Sequence, residues 1–308
     1  ITDTNYTNSS VSTFTITTDK TNITYYSGSG NIISREATGT GDFSVIVYDE
    51  DYGDGVLVGA NVNGMYWFTT DGVNYDAGNA TKTDSNGYLN MTFDPNCSYS
   101  VGQQRWKAGV YNDSCYSPSN TTTYYSWYVR GQLKNNLTLP KYQETIPVGT
   151  LANLTFDALT DCSNEGAITG VSGSFRVKSP LGVWTTICTS TNDLNNGSYY
   201  CNWDTYGVKG GNWSIMVNSS KTDYYDNSTI YVDWVYLQNT PPDYGNNSVT
   251  PTESGWGDNF TYSIEISDMQ DDDVTCVRWV SKDNSTWYKK GNDTVFGGHG
   301  FCNVSISD

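Results

Sequence analysis

Histidine is almost absent from this chain. The only one, His299, sits in the glycine-rich run GGHG. A catalytic triad, a histidine metal cluster or imidazole acid–base chemistry needs partners that this run does not supply, so His299 reads as a loop residue. Cations are scarce too: Lys and Arg total 16 against 33 Asp and Glu, for a net charge of -17, and they never form a stripe. That excludes nucleic acid, whose phosphates require clustered cations. No run of about 18 apolar residues occurs, so no membrane-spanning segment is expected. Ile1 opens a polar Thr/Asn-rich stretch, as a processed chain would. No stretch keeps apolar residues at i, i+3, i+4, i+7 over three turns, which argues against amphipathic helices. A C-x-x-C pair, a nucleophile elbow, a phosphate loop and H-E-x-x-H are all missing. The chain is therefore expected not to be an enzyme.

What is present points to strands. Thr, Ser, Asn, Gly and Tyr dominate, and aromatics reach 14% with ten Trp. Aliphatic residues are modest in number, so the cores must rest on Tyr, Trp and Phe. Short β-patterned runs alternate with Asp/Gly/Asn turns throughout. The predicted fold class is all-β, built of tandem immunoglobulin-like β-sandwich domains. Residues 1–40 form an N-terminal strand segment, either the first strand of the following domain or a tail donated to a neighbour. Residues 41–132 form one sandwich, 133–238 a second and 239–308 a third. Within the first sandwich, strands are expected at 42–48, 56–62, 65–70, 87–93, 104–111 and 122–130. Asp54-Gly55, Asn63-Gly64, Asp71-Gly72 and Asn86-Gly87 would supply its turns. Pro241-Pro242 marks the last linker. The third sandwich has only about 65 residues of patterned sequence, short of a full sandwich, so its last strands come from beyond Asp308 or from another chain.

The compartment follows from Asn and Cys. Nineteen Asn-x-Ser/Thr sequons are spread along the whole chain, at Asn5, Asn8, Asn22, Asn79, Asn90, Asn96, Asn112, Asn120, Asn136, Asn153, Asn196, Asn212, Asn218, Asn227, Asn246, Asn259, Asn284, Asn292 and Asn303. Such a density predicts an N-glycosylated extracellular or cell-surface protein, with glycans on the outside of each domain. Seven cysteines without metal-binding spacing agree with an oxidising compartment. Local pairing would join Cys97 to Cys115, Cys188 to Cys201 and Cys276 to Cys302, each loop contributing about 3 kcal/mol. Cys162 is then left over: a competitor for Cys188 or Cys201, a free thiol, or a partner for a cysteine outside this stretch.

Two motif pairs carry a resemblance. One is Gly59, Ala60 and Val62 followed by Thr83, Asp84, Gly87 and Phe93; the other is Gly197, Tyr199, Cys201 and Trp203. On these residues the chain resembles the multi-domain immunoglobulin-like surface glycoproteins common in archaea. The resemblance covers residues 40–308 and implies a cell-surface, S-layer-like or filament-forming role.

Two acidic clusters have the chemistry of a calcium site: Asp49, Asp51 and Asp54 in YDEDYGDG, and Asp268, Asp271 and Asp273 in SDMQDDD. Calcium takes six to eight oxygens, and clustered Asp on a Gly-bearing loop can supply several. No cofactor other than N-linked glycans and this calcium is expected. Tyrosine doublets at Tyr25-Tyr26, Tyr124-Tyr125, Tyr199-Tyr200 and Tyr224-Tyr225 would each turn one ring inward and one outward in a strand. Outward rings can stack on sugar. The sequence thus points to a structural subunit of a glycosylated filament or surface layer, partnered by copies of itself through strand donation. An adhesin or carbohydrate-binding stalk is the alternative.

Overall fold

The computed structural model describes residues 14–36, 39–51, 55–255 and 257–306. Among these the only helical element is a short 3-10 turn at Phe296–Gly298; everything else regular is strand. The chain divides into two compact units, Ile1–Gln132 and Leu133–Asp308. The fold is that of tandem immunoglobulin-like β-sandwiches.

The first unit is one sandwich. Its smaller sheet runs antiparallel in the order Thr21–Ser27, Gly41–Asp49, Tyr88–Phe93. The facing sheet orders Asn79–Lys82, Asn63–Phe68, Gly102–Val110 and the first part of Tyr125–Leu139. Alternation decides which face is buried: Phe43, Val45 and Val47 from one sheet and Tyr66, Phe68, Trp106 and Trp127 from the other are all fully covered. Phe68 stacks on Phe93 with centroids 3.9 Å apart, and Phe43 meets Trp106 edge-on at 5.3 Å. Each such ring contributes roughly 1.5–3 kcal/mol by burial. The Tyr66 hydroxyl donates to the Leu89 carbonyl and to that of Phe43 at 3.2 Å. Burial pushes its pKa well above the usual tyrosine range.

The motif Gly59-Ala60-x-Val62 and the later Thr83-Asp84 turn are two halves of one device. The Thr83 hydroxyl donates to the Gly59 carbonyl at 2.7 Å and accepts from the Val62 amide at 3.0 Å. Asp84 accepts from the Asn86 and Tyr88 amides, closing the turn at Gly87. This clamp explains one departure from expectation. Residues 56–62 form no strand beyond an isolated bridge of Leu57 to Tyr48: Val56 and Val58 bond to Asp49 and Val47, and the chain then leaves that strand for Thr83, whose backbone holds Asn61 and Val62. Asn63-Gly64 is likewise no turn. It opens the strand Asn63–Phe68, where a Cβ on Gly64 would lie 2.4 Å from Leu89.

Thr21–Ser27 pairs with Gly41–Asp49, and Ile32–Ser34 pairs in parallel with Tyr128–Arg130. Among the described residues, the strands within 1–40 therefore lie in their own unit's sheets. Residues 1–13 lie outside the described residues. Phe14 and Ile16 are 82% and 81% exposed and belong to no strand.

The second unit holds two sandwiches. In the first, Asn192–Asp193, Ser198–Asp204, Leu151–Thr160 and residues 133–139 form one sheet. Glu144–Pro147, Asn227–Gln238, Gly211–Ser220, Ser172–Lys178 and Trp184–Cys188 form the other. Leu154, Phe156, Phe175, Tyr199 and Ile215 fill the space between. Cys188 and Cys201 are disulfide-bonded, Cα atoms 6.6 Å apart, and staple one sheet to the other. The next sandwich faces a three-stranded sheet, Asp243–Thr250, Phe260–Ser267 and His299–Ile306, with a hairpin of Val274–Ser281 and Trp287–Val295. Its two sheets are stapled by Cys276 and Cys302, Cα atoms 6.3 Å apart.

The expected Cys97–Cys115 pairing is corrected. Cys115 is a free, exposed thiol, whereas Cys97 and Cys162 are both disulfide-bonded, so Cys162 is not the cysteine left over. Local structure holds Cys115 elsewhere. Its amide donates to Asp113 at 2.9 Å and its carbonyl accepts from the Asp19 amide at 2.9 Å. Proximity in sequence was a poor guide because that turn has its own hydrogen-bond economy.

Candidate functional site

The last sandwich is thinly filled. Among the described residues Ile266, Val295 and Cys302 are buried in its core, with Ile264, Val274 and Cys276 half-buried against them, where the first unit buries sixteen. The cause is local sequence. On the hairpin strand Val274–Ser281 the inward positions are Cys276, Arg278 and Val280, and its partner strand carries the polar run YKKGND. Arg278 takes a place where an apolar side chain would close the core. Its Nη1 donates to the Val304 carbonyl, and Nη2 donates to the carbonyls of Lys290 at 3.1 Å and Ser305 at 3.3 Å. The guanidinium also lies 5.1 Å from the Tyr262 ring.

The result is an open groove between the two sheets. One part, about 370 Å³, is lined by Val249, Tyr262, Ile264, Val277 and Val304 beside the Cys276–Cys302 staple. A second part, about 680 Å³, is bounded by Phe260, Tyr262, Val280 and Tyr288, with Lys282, Lys289 and Lys290 and one acid, Asp258, also lining it. Three lysines are a notable concentration in a chain with 16 Lys and Arg. The groove offers apolar space inside and three lysines with one acid at its mouth, and among the described residues Asp243–Thr250 and Val274–Ser281 are edge strands beside it. This is the chemistry of a site for an extended segment.

The acidic clusters are organised differently from a metal site. Asp268, 3% exposed, accepts from the Gln270 and Asp272 amides at 2.9 and 3.1 Å. Asp271 meets His299 Nε2 at 2.9 Å, and Asp273 accepts from the Gly297 amide at 2.8 Å. Asp272 accepts from Asn239 at 2.8 Å and lies 3.8 Å from Lys209. This loop thus caps itself and ties the two sandwiches of the second unit together. Asp49 accepts from the Asp51 amide at 3.0 Å and from the Tyr116 hydroxyl at 3.1 Å. Asp51 accepts from the Lys20 amide at 3.3 Å, and Asp54 lies outside the described residues. Burial, then the bond to Asp49, pushes the Tyr116 hydroxyl up to about 12. Among the described residues no three acidic, His or Cys groups converge as a metal site. The carboxylates face N–H and O–H donors, not one another.

Asn5 and Asn8 lie outside the described residues. Of the other sequon asparagines, Asn79, Asn218 and Asn227 are half-buried and the rest are exposed. Asn79 and Asn218 also engage their Nδ2 atoms, with Asp76 at 2.8 Å and Ser174 at 3.3 Å. At Asn96 and Asn196 the side-chain oxygen instead accepts from the amide of the sequon Ser, which leaves Nδ2 outward. The tyrosine doublets divide as strands require. Tyr25, Tyr125 and Tyr199 pack inward, while Tyr26 and Tyr124 stand 57% and 53% exposed.

No family model matches the chain, and no curated protein matches it. Solved structures resemble it at the level of fold. A tetra-tandem repeat from the extending region of a large adhesion protein is 13% identical with a TM-score of 0.42, covering 94% of this chain and 66% of that one. A mutated three-immunoglobulin-domain segment of titin is 10% identical with a TM-score of 0.47, covering 92% and 88%. Dpr2 in complex with DIP-Theta, an assembly of immunoglobulin domains, is 10% identical with a TM-score of 0.42, covering 93% and 90%. All are tandem-domain proteins.

Proposed function

We propose that the chain is a non-enzymatic structural subunit of a heavily N-glycosylated extracellular filament or surface layer. Subunits join when the segment STFTITT at 12–18 of one copy enters the open groove of the last sandwich in the next. The observation that carries this reading is the groove itself, between sheets that bury three core residues among the described ones. The donor has matching features. Phe14 and Ile16 alternate with Thr and stand exposed, and burying the two would contribute about 3–6 kcal/mol. Residues 12–18 carry no charge, so the segment brings no cation to the lysines of the groove. Backbone pairing with a free strand edge would add affinity, and the alternate side chains would set register. Glycans at the exposed sequons would coat the outside.

The test is a chain lacking residues 1–18, viewed by electron microscopy. The cut stops short of Thr21–Ser27, which the first unit needs for its own sheet. The reading expects folded subunits that form no fibres or sheets; assemblies like those of the intact chain would refute it. A second reading, an adhesin or carbohydrate-binding stalk, is favoured by one observation: the outward rings around Arg105 and Lys107 on the first unit.

A further inference from the structure

We propose that the outer face of the larger sheet in the first unit binds a terminal acidic pyranose, a uronate or sulfated sugar, of a glycan carried by another molecule. The inference goes beyond strand-mediated assembly and does not depend on it.

Alternation along Gly102–Val110 turns Trp106 inward and Arg105 and Lys107 outward. Strand geometry sets these two cations about 7 Å apart. Each lies on aromatic rings. The Arg105 guanidinium is 4.3 Å from the Tyr124 centroid. Lys107 Nζ is 4.7 Å from Tyr75 and 5.3 Å from Trp67, its cross-strand partner. Tyr111 meets Trp67 edge-on at 5.8 Å. The six side chains form one continuous patch. Among the described residues neither cation is in an ion pair, although acids outnumber bases by 33 to 16 in the chain. Cation–π contact holds a charged head in place without using its hydrogen-bond donors. Those donors remain free for an anion.

The geometry selects among ligands. This is a sheet face, not an edge: its backbone groups are engaged in the ladder, so an added peptide strand has nothing to pair with. Two cations are too few for a nucleic acid, whose binding grows with each phosphate neutralised. A long polyanion would also meet the repulsion of a chain carrying -17. Beyond a Debye length of about 8 Å that repulsion is screened, so a single charged sugar feels mainly the local cations. A pyranose presents an apolar C–H face to an aromatic ring and a charged substituent at its edge. Both have counterparts here.

Titration calorimetry on the full chain at physiological salt tests this with three probes: 3′-sulfolactose, digalacturonic acid and lactose. The two acidic sugars should bind about tenfold more tightly than lactose, the increment of a charge-assisted contact. Arg105→Gln combined with Lys107→Gln should bring them down to the lactose level. Tyr124→Ala should weaken all three several-fold with an unchanged melting temperature, and Asn120→Gln should change none. The proposal is overturned by equal affinity for charged and neutral probes, or by full binding in the double variant. It is equally overturned if Asn120→Gln tightens binding several-fold. Asn120 pairs with Gly109 on the same sheet, and that gain would show the chain's own glycan occupying the face.

Discussion

The disulfide between Cys276 and Cys302 should matter more to its domain than a staple usually does. It closes a separation of 26 residues. The loop-entropy model assigns that closure about 3.5 kcal/mol. Among the described residues of the last sandwich, Ile266, Val295 and Cys302 are the buried core, with Ile264, Val274 and Cys276 half-buried against them. So small a core leaves a narrow margin once the conformational entropy of ordering five strands is set against it. Losing 3.5 from so thin a margin should unfold the domain at ambient temperature. The double variant Cys276→Ala, Cys302→Ala removes the bond and part of the packing together. Scanning calorimetry of the full chain should then lose one component of the unfolding endotherm, with the rest unmoved. Hydrogen exchange should rise in the strands of this sandwich alone, Asp243–Thr250, Phe260–Ser267, Val274–Ser281, Trp287–Val295 and His299–Ile306. A variant that keeps protection there, with a melting temperature within a degree or two of the parent, would show that the groove is better supported than the packing implies. The reasoning about a thin core would then fail.

Other expectations concern the first unit and the surface. Tyr66→Phe removes a buried donor and leaves the Leu89 and Phe43 carbonyls short of a partner; urea unfolding should register a loss of about 1–2 kcal/mol. Tyr116 is raised from 10.0 to about 12, so the stability it contributes is fully present below pH 10 and is lost as pH rises towards 12. The urea midpoint should fall across that window, and less steeply in Tyr116→Phe. Glycopeptide mass spectrometry should find sugar at Asn96 and Asn196, where Nδ2 points outward, and none at Asn79 or Asn218, where it is engaged.

Much of the fold was legible because period-two alternation is a strong local signal in FSVIVYD and GSYYCNW. Turn chemistry was legible where it acted alone, as at Asn86-Gly87. It misled where a glycine served packing, as Gly64 does against Leu89. The Cys97–Cys115 pairing misled because nearness in sequence says nothing of the direction a turn gives its side chains. Composition does not show that Asp268 and Asp273 accept from backbone amides. The patch around Arg105 and Lys107 was half visible. The Tyr124-Tyr125 doublet announced an outward ring, but only cross-strand register brings Trp67 to Lys107. The lysines of the groove come together only once the hairpin Val274–Ser281/Trp287–Val295 is folded.

The central claim is that an extended segment of one copy completes the last sandwich of another. The most direct test adds a synthetic peptide of residues 9–20, SSVSTFTITTDK, to the chain lacking residues 1–18. Hydrogen exchange is then read peptide by peptide. The account predicts saturable protection confined to Asp243–Thr250, Phe260–Ser267 and Val274–Val295. It also predicts that the same peptide with Phe14→Asp and Ile16→Asp gives none. Unchanged exchange at saturating peptide, or equal protection by the substituted peptide, would contradict it.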